Sequence, residues 1–569
     1  MRPYILGIWD GHDSGVALVK GQTLCFAINE ERLSGRKSDA AFPLLSIQAA
    51  LQHEGIGPDD IHAIAFSTSD FTKTLTRFFP TIKERYYALR RGAKEHQEGF
   101  APINSFMRRY KYLVTLPGTN PLFRMLSVYK MKKQLASLGF NKKPLFAFDH
   151  HQCHAEAAAR LSGFSKSLVI TLDGLGDGLS GTISTFHRGK LERKAAISSN
   201  HSFGIFFEHV TALLHMRELE DEGKVMALAD YAQPTEKSKN PMTHFFSIDG
   251  ITVNSAYNPL RMYDELKQLR QSCSAKQFAF FAQQALEHWI EKLARSALLC
   301  FPHKYLCLAG GVFANIKVNR NLRAIAGVKG LFVFPHMGDG GLALGSALAL
   351  NHRLHNVKRY SLDNVFLGDS HDADSIEQEL RNKGLRYRLV KSPAATASKL
   401  ITSNHAIIWY QGRMEYGPRA LGHRSILAMP NSTEIKDFIN VHIKKRSWYQ
   451  PFCPSMLLEE AKTLLSDYRG HQNFFMTEAY HVKETHQSHL KGVVSNDGTC
   501  RPHMVTPKDA EFYFLLKSIK KRTGYGVVLN TSLNRHRHPL ACTPQDAVGV
   551  FLSAPIKHMI IGPFHVRKK

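Results

Sequence analysis

Four side chains, two histidines and two aspartates, have the types and the spacing of a metal-binding site. His150 and His154 form an H-x-x-x-H pair in the run FDHHQCHAEAAAR, and a four-residue step on a helix places both imidazoles on one face. Asp173 in VITLDGLGDG and Asp339 in FPHMGDGG each follow an apolar run and lie in a glycine-bearing turn. Such turns lie at the carboxyl ends of strands, where open α/β sheets place their ligands. We therefore expect one site assembled from distant segments.

This ligand set suits Fe(II), Mn(II) or Zn(II), and the residue types alone do not choose among them. An H-x-x-x-H pair is a weak signal by itself, because a chain with 30 histidines contains such pairs by chance. The two glycine-flanked aspartates strengthen it. His151 points about 100° away from His150 on a helix, so we expect it to be a surface or capping side chain.

The elements that would position these residues begin with a β-meander. Strand patterns cover residues 4–9, 15–20 and 23–28, and a polar turn at 10–13 joins the first two. An N-terminal hairpin with a glycine-containing turn is typical of the actin and sugar-kinase type of ATPase fold. The pattern favours that fold without establishing it.

A second arrangement, a strand followed by two glycines and a helix, indicates a phosphate site. The strand at 305–309 runs into Gly310 and Gly311 and then into a helical stretch at 313–322. Backbone N–H groups at such a helix start can approach an anion. The strand at 331–334, the Asp339 loop and the helix at 341–350 repeat the design. The residues that we assign to nucleotide binding in this half are Gly310, Gly311, Asn315 and Gly338.

Composition indicates a globular, strongly basic protein. A chain of 569 residues with 43% hydrophobic and 21% charged residues is expected to form two large domains. No stretch approaches the roughly 18 apolar residues that a membrane helix needs, so we expect a soluble cytoplasmic protein without a membrane span. Eight cysteines without a C-x-x-C pair indicate neither structural zinc nor a disulfide framework. A net charge of +26 favours anionic partners.

Residues 86–148 carry twelve lysines and arginines against Glu95 and Glu98. We interpret this segment as a basic helical insertion, either a solvated face or a surface on which an anionic acceptor or a membrane surface docks. A domain boundary is expected at 352–362, where a helical pattern changes to HRLHNVKRYSLDN. We find no internal repeat.

Ten motifs are spread along essentially the whole chain. They are HDSGVAL (12–18), EERLSGRKSDAAFP (30–43), HHQCHAEAA (150–158), LDGLGDG (172–178), EGKVMALA (222–229), LAGGVFAN (308–315), PHMGDGGLALGSAL (335–348), GRMEYGPRALGHRSILA (412–428), NDGTCRP (496–502) and LNTSLN (529–534). In this order they resemble the O-carbamoyltransferases of the nodulation, tobramycin and cephamycin type. The GPRALGHRS block is the most specific of them.

The resemblance implies an α/β protein with two domains. The first, at 1–354, would be an actin-like ATPase (ASKHA) domain related to the tRNA threonylcarbamoyl transferase, with the basic insertion at about 86–148. The second, at 360–569, would be a YrdC-like α/β domain that forms carbamoyl adenylate.

The implied activity is ATP-dependent O-carbamoyl transfer. Carbamoyl phosphate and ATP, with Mg(II), would yield carbamoyl adenylate in the second domain, in a pocket of cations and hydrogen-bond donors. The residues at matching positions there are Arg419, Arg424, Lys444, Arg501, Ser532 and Asn534. The first domain would then carbamoylate a hydroxyl of a small molecule or saccharide.

In the first domain the resemblance assigns a role to each candidate residue. The four ligands match the family's iron-binding positions, which favours Fe(II) over Mn(II) and Zn(II). His12 matches the proposed base that takes the proton of the acceptor hydroxyl. Lys37 matches a lysine that contacts the activated carbamoyl group or its phosphate.

Three positions of the second half depart from the family pattern. KKRSWYQPFCP places Ser447 where glutamate is common and Gln450 where an anion-binding arginine is expected, and Ser495 stands where a histidine is usual. Gln450 cannot supply the missing charge, although Lys445 or Arg446 could.

Two other functions stay open at this point. The enzyme could transfer a different acyl adenylate, because Ser447 and Gln450 reshape the donor pocket. Alternatively, the chain could be a nucleotide- or RNA-binding protein with an inactive second domain, which the basic insertion would serve. We do not expect nucleic acid as a partner, since an enzyme that handles two polyanions already accounts for the charge. A homodimer is the expected assembly.

Overall fold

The computed structural model describes residues 3–83, 87, 118–470 and 473–568. The chain forms two compact units, one of residues 1–30 and 39–362 and one of residues 31–38 and 363–569. The second unit thus contains a short segment from near the N-terminus, which the division at 354–360 did not anticipate. Within the described ranges, no helix is long and apolar enough to cross a membrane.

The first unit contains two five-stranded sheets and a separate hairpin. The strands are β1 (Tyr4–Trp9), β2 (Gly15–Lys20), β3 (Thr23–Asn29), β4 (Ile61–Ser67), β5 (Leu145–Phe148), β6 (Lys166–Gly176), β7 (Leu179–His187), β8 (Lys190–Ser198), β9 (Phe246–Asp249), β10 (Thr252–Ser255), β11 (Tyr305–Ala309) and β12 (Gly330–Val333). The sheet orders are β3-β2-β1-β4-β5 and β8-β7-β6-β11-β12, and β9 pairs with β10.

The two sheets share one topology. In each, the first three strands are antiparallel neighbours, and the first strand also pairs in parallel with the fourth, which pairs in parallel with the fifth. This duplication is an internal repeat that the sequence did not reveal. It agrees with the actin-like architecture expected of this half.

Helices α1 to α11 begin in this part of the chain. They are α1 (Glu30–Ser34), α2 (Leu44–Glu54), α3 (Phe71–Phe78), α4 (Pro121–Ala136), α5 (His150–Leu161), α6 (Phe203–Leu213), α7 (Glu222–Leu228), α8 (Pro259–Ser272), α9 (Ala275–Cys300), α10 (Ile316–Arg323) and α11 (Leu342–His355). The helix expected at 313–322 begins later, at Ile316, because Asn315 is its N-cap and accepts from the backbone N–H groups of Lys317 and Val318.

Helix α11 packs against both β1 and α5, and two glycines allow the close approach. A Cβ on Gly7 would lie 2.0 Å from the carbonyl oxygen of Ala343, and one on Gly345 would lie 2.1 Å from that of Cys153. Asp339 precedes α11 and His150 starts α5. The contact between these helices therefore fixes the two ligand-bearing segments relative to each other.

The second unit is built on an eight-stranded mixed sheet of order β13-β22-β21-β14-β15-β20-β16-β19, beside a two-stranded β17-β18 pair. Its strands are β13 (Tyr387–Leu389), β14 (Ile407–Tyr410), β15 (Arg424–Ala428), β16 (Cys453–Leu457), β17 (Tyr480–His481), β18 (Thr499–Cys500), β19 (His503–Val505), β20 (Val527–Ser532), β21 (His558–Ile561) and β22 (Phe564–Arg567). Its helices are α12 (Ala373–Asn382), α13 (Pro393–Thr402), α14 (Thr433–Phe438), α15 (Leu458–Leu464), α16 (Glu484–Gln487), α17 (Ala510–Thr523) and α18 (Pro544–Ser553).

An apolar core joins this sheet to α13 and α17. It includes Trp409 and Val528 from the strands and Ala397 and Leu516 from the helices, all fully buried. The expected α/β class is confirmed for both units.

Candidate functional site

The four residues of the expected metal site lie together in the first unit. Their ligand atoms are all within 4.8 Å of one another. His154 Nε2 lies 3.0 Å from Asp173 Oδ2, and His150 Nε2 lies 3.4 Å from Asp339 Oδ1. Segments that are far apart in the sequence therefore form one candidate metal-binding site.

The geometry of this set fits a single divalent ion. Ligand atoms about 2.0–2.2 Å from one ion lie roughly 3.0–3.5 Å apart at tetrahedral or octahedral angles, close to the distances found here. His150 Nε2 is buried and has no hydrogen-bond partner among the described residues. Burial alone would lower the pKa of His150, but the carboxylates of Asp339 and Asp173 raise it to about 9.

Contacts beyond those with the two carboxylates orient the imidazole of His150. Its Nδ1 lies 3.1 Å from Thr68 Oγ1, and its backbone N–H donates to Asp177 Oδ2 at 2.8 Å. Asp149 caps α5 by accepting from the backbone N–H of Gln152. A Cβ on Gly176 would lie 2.2 Å from the ring of His150, so only glycine leaves room for the ring in this position.

The expectation for His151 was wrong, because this side chain is fully buried rather than on the surface. Its Nδ1 lies 3.0 Å from Thr171 Oγ1 and its Nε2 lies 3.2 Å from the carbonyl oxygen of Leu179. Burial, with the neighbouring charges of His150 and His154, lowers its pKa to about 3. It is a neutral structural residue under the ligand pair.

His12, the expected base, lies beside the ligand set. Its Nδ1 is 3.4 Å from Asp339 Oδ2, while Asp339 Oδ1 faces the histidines. The indole of Trp9 donates to the carbonyl oxygen of His12 at 2.8 Å and fixes the turn. Asp339 therefore contacts both the candidate ligand histidines and the imidazole of His12.

The residues expected to bind nucleotide follow β11 and precede α11. Gly310 has φ of 103°, and a Cβ on Gly311 would lie 3.0 Å from Asp173 Oδ1. Asn315 caps α10 and exchanges hydrogen bonds with Gln283. A Cβ on Gly338 would meet nothing within 4 Å. The backbone of Gly311 thus passes directly beside the candidate metal ligand Asp173.

A buried ion cluster around Asp10 was missed in the sequence. Arg77 donates to both carboxylate oxygens at 2.9 Å, and Lys73 Nζ lies 3.0 Å from Oδ1. Burial raises the pKa of Asp10, but the charges of Arg77 and Lys73 outweigh this and hold it far below its usual value. The signal that could have revealed the cluster is the four-residue spacing of Lys73 and Arg77 on one helix face.

In the second unit, Lys444 contacts the two residues that were expected to act with it. Its Nζ lies 3.1 Å from Ser532 Oγ and 2.6 Å from Asn534 Oδ1. Burial, together with the charges of Arg446 and Lys37, holds the pKa of Lys444 well below its usual value. Lys37 is an exposed residue of the segment 31–38 of this unit, and its charge is one of the two that act on Lys444.

Three guanidinium groups surround the thiol of Cys453. Arg501 donates to its sulfur from Nε at 3.2 Å and from Nη2 at 3.0 Å. Burial and the charge of Arg501 lower the pKa of Arg419 to about 9 and that of Arg446 to about 10, and both stay protonated at neutral pH. Arg446, which the sequence offered as a possible replacement for the charge missing at Gln450, thus belongs to this cation cluster.

The structure places Arg424 differently from the other expected anion-binding residues. Its side chain is fully buried and donates to the backbone carbonyl oxygens of Gln411, Gly412 and His423. Its guanidinium also lies 3.7 Å from the ring centre of Tyr410. These contacts hold the loop before β15 and engage both terminal nitrogens, whereas Nε has no hydrogen-bond partner among the described residues.

About half of the basic insertion at 86–148 lies outside the described residues, which include residue 87 and resume at Gly118. Its described part contains α4, where Arg124 donates to the carbonyl oxygen of Ala147 at 2.7 Å.

Sequence comparison places the chain among known proteins. The family described as Carbamoyltransferase N-terminus matches residues 4–348, and the one described as Carbamoyltransferase C-terminus matches residues 398–568. The chain belongs to the carbamoyltransferase family. It is accordingly an enzyme of the carbamoyltransferase class, and the metal-site candidates and the cation cluster lie in the N- and C-terminal family segments, respectively.

Three relatives of this carbamoyltransferase span most of its length. An uncharacterized protein of Methanocaldococcus jannaschii is 30% identical and covers 99% of both chains. Nodulation protein NolNO of Sinorhizobium fredii is 30% identical and covers 98% of this chain and 79% of its own length. The 3'-hydroxymethylcephem-O-carbamoyltransferase of Streptomyces clavuligerus is 28% identical, covering 62% and 65%.

Proposed function

We propose that this carbamoyltransferase is ATP-dependent and transfers the carbamoyl group to a hydroxyl of a small molecule or saccharide. The observation that carries the proposal is the meeting of His12 with the four candidate ligands in the first unit. A relative that is named as an O-carbamoyltransferase supports an oxygen acceptor.

The cation cluster of the second unit suits the activation half of the reaction. Carbamoyl phosphate would react with water to give carbamate and phosphate, and a carbamate oxygen would attack the α-phosphorus of ATP, which enters with Mg(II). Pyrophosphate would leave, and carbamoyl adenylate would remain. Arg419, Arg446 and Arg501 offset the repulsion between these anions, and Lys444 with Ser532 and Asn534 fixes their orientation.

In the first unit, His12 would accept the proton of the acceptor hydroxyl through Nε2, while Asp339 holds Nδ1. The alcohol oxygen would bond to the carbamoyl carbon, and the bond from that carbon to AMP would break. His150, His154, Asp173 and Asp339 would hold a divalent ion, for which we propose Fe(II) with Mn(II) or Zn(II) as alternatives, and this ion supplies Lewis-acid polarisation. The glycines at 310, 311 and 338 and Asn315 would admit the nucleotide.

The test measures both halves of the reaction on metal-replete protein. Pyrophosphate release should require carbamoyl phosphate, and labelled carbamoyl groups should appear on a hydroxyl acceptor from a panel of sugars and alcohols. Arg419→Met should abolish both, whereas Arg386→Met, which alters an exposed arginine outside the cluster, should change neither. His12→Asn should retain pyrophosphate release and lose carbamoyl transfer by about 10²- to 10⁴-fold. Failure of the unaltered enzyme to release pyrophosphate in response to carbamoyl phosphate would contradict the proposal.

A further inference from the structure

Asn29 ends β3 and lies between the turn that carries His12 and the turn that carries Asp339. Its backbone pairs with that of Gly15, the first residue of β2, and its side chain is buried. Neither the candidate ligand set nor the proposed proton transfer uses this side chain. A buried carboxamide needs partners at both of its ends, and those partners show which segments it holds.

The amino end of the carboxamide faces the His12 turn. Asn29 Nδ2 donates to the carbonyl oxygen of Asp13 at 2.7 Å and lies 3.4 Å from that of Ser14. Asp13 has φ of 56°, a left-handed conformation that is uncommon outside glycine. The hydrogen bond from Asn29 therefore stabilises a strained residue directly after His12.

The other contacts of the carboxamide reach the Asp339 turn. Asn29 Nδ2 lies 3.4 Å from the carbonyl oxygen of Gly340, and Asn29 Oδ1 lies 2.8 Å from His336 Nε2. Because carbonyl oxygens only accept, Nδ2 must be the atom that faces them, and Oδ1 accepts from the His336 imidazole. A Cβ on Gly340 would lie 2.4 Å from the His336 ring and 2.8 Å from Asn29 Nδ2, so this approach requires glycine.

One side chain thus links two turns that are far apart in the sequence. His12 Nδ1 lies 3.4 Å from Asp339 Oδ2, and Asn29 bonds to the residue after His12 and contacts the residue after Asp339. A displacement of about 1 Å at a reacting group can cost about 100-fold in rate. The placement of His12 beside Asp339 therefore depends on hydrogen bonds that end on the backbone of the two turns.

We propose that Asn29 is a positioning residue for carbamoyl transfer, which holds the His12 turn against the Asp339 turn and thereby places the base. The inference rests on the proposed function and deepens it, because it identifies what keeps the base in position. His336 assists by fixing the orientation of the carboxamide.

Asn29→Leu tests the inference, because leucine has the shape of asparagine without its hydrogen bonds. On metal-replete protein, the kcat of carbamoyl transfer to the acceptor found in the sugar and alcohol panel should fall about 10- to 100-fold. The KM for that acceptor and the release of pyrophosphate should stay unchanged. Asn351→Leu is the matched control, since Asn351 is also fully buried in the first unit and donates to the carbonyl oxygen of Gly21 at 2.7 Å and to the hydroxyl of Tyr360 at 2.6 Å. The control should lower the unfolding free energy and keep kcat.

Two readouts separate the positioning of His12 from general packing. Asn29→Leu added to His12→Asn should lower carbamoyl transfer no further, because both changes remove the same contribution. The Trp9 indole N–H donates to the carbonyl oxygen of His12 at 2.8 Å. In the metal-free protein, its hydrogen exchange, followed by NMR, should become about 10-fold faster in Asn29→Leu and stay unchanged in Asn351→Leu.

Asn29→Ser, whose side chain is too short to link the two turns, should show the same changes and carries the test if leucine prevents folding. An unchanged kcat or unchanged Trp9 exchange in the folded variant, an equal loss in Asn351→Leu, or a further loss in the double variant would overturn the inference and leave O-carbamoyl transfer standing. If the unaltered enzyme carbamoylated no acceptor of the panel, the inference and the proposed function would both be refuted.

Discussion

Replacing Thr68 with valine should weaken metal binding although Thr68 is not a ligand. The Thr68 hydroxyl lies 3.1 Å from His150 Nδ1, and both side chains are buried. Valine has the shape of threonine but leaves that nitrogen without its partner. A bound ion fixes Nε2 and so holds Nδ1 against the valine side chain, and we therefore expect the penalty to fall on the metal-bound state. Loss of such an orienting partner costs about 10- to 100-fold in affinity, or about 1.4–2.7 kcal/mol.

Competition against a chromophoric chelator, with Zn(II), Mn(II) and anaerobic Fe(II), would measure this affinity. Thr171→Val is the matched control, because the Thr171 hydroxyl contacts His151 Nδ1 at 3.0 Å and His151 is not a ligand. The control should lower the unfolding free energy by about 1 kcal/mol or more and leave metal affinity unchanged. Equal affinities of Thr68→Val and the unaltered protein would refute the assignment of His150 as a ligand oriented by Thr68. An equal loss in both variants would show a general packing effect instead.

Three further variants test the surroundings of the site. Gly176→Ala should reduce metal affinity at least as much as Thr68→Val, because its Cβ would displace the His150 ring, while Gly223→Ala, where a Cβ meets open space, should not. Arg77→Met should lower the unfolding free energy in urea by about 3–5 kcal/mol, since Asp10 would lose its bidentate partner while staying buried. Ionised Asp10 stabilises the fold above its unfolded pKa of about 3.9, and this contribution is lost as pH falls below that value, because its folded pKa is lower still. The stability difference between the unaltered protein and Asp10→Asn should therefore be constant from about pH 5 to 7 and shrink below about pH 4; a difference that grows at low pH would contradict the lowered pKa of Asp10.

The ligand set was predictable because each member lies in a strong local pattern. His150 and His154 are one helical turn apart, and Asp173 and Asp339 follow apolar runs that had to be strands. Local periodicity places such residues at the ends of elements, and the topology of α/β sheets brings those ends together. The α/β class was implied by the family resemblance, and the alternation of strand and helix patterns agrees with it.

Features that depend on tertiary contacts were not predictable. The burial of His151 arises from Thr171 and Leu179, which the sequence does not place near it. The inclusion of residues 31–38 in the second unit and the use of Arg424 by carbonyl oxygens depend on long-range packing. The repeated sheet topology was not visible in the sequence, because two sets of strands with different side chains can share the same pairing order.

In both five-stranded sheets an aspartate follows the point where the regular pairing of the first strand with the second ends. Asp10 follows Trp9, the last residue of β1 paired with β2, and Asp173 follows Leu172, where the regular pairing of β6 with β7 breaks; each is followed by glycine. The two aspartates have different electrostatic surroundings. Basic side chains neutralise Asp10, whereas imidazoles approach Asp173. A cation arriving at Asp10 would have to expel Arg77 and Lys73. We therefore expect an ion at Asp173 and none at Asp10. The two sheets then resemble each other in backbone pairing but not in ion binding.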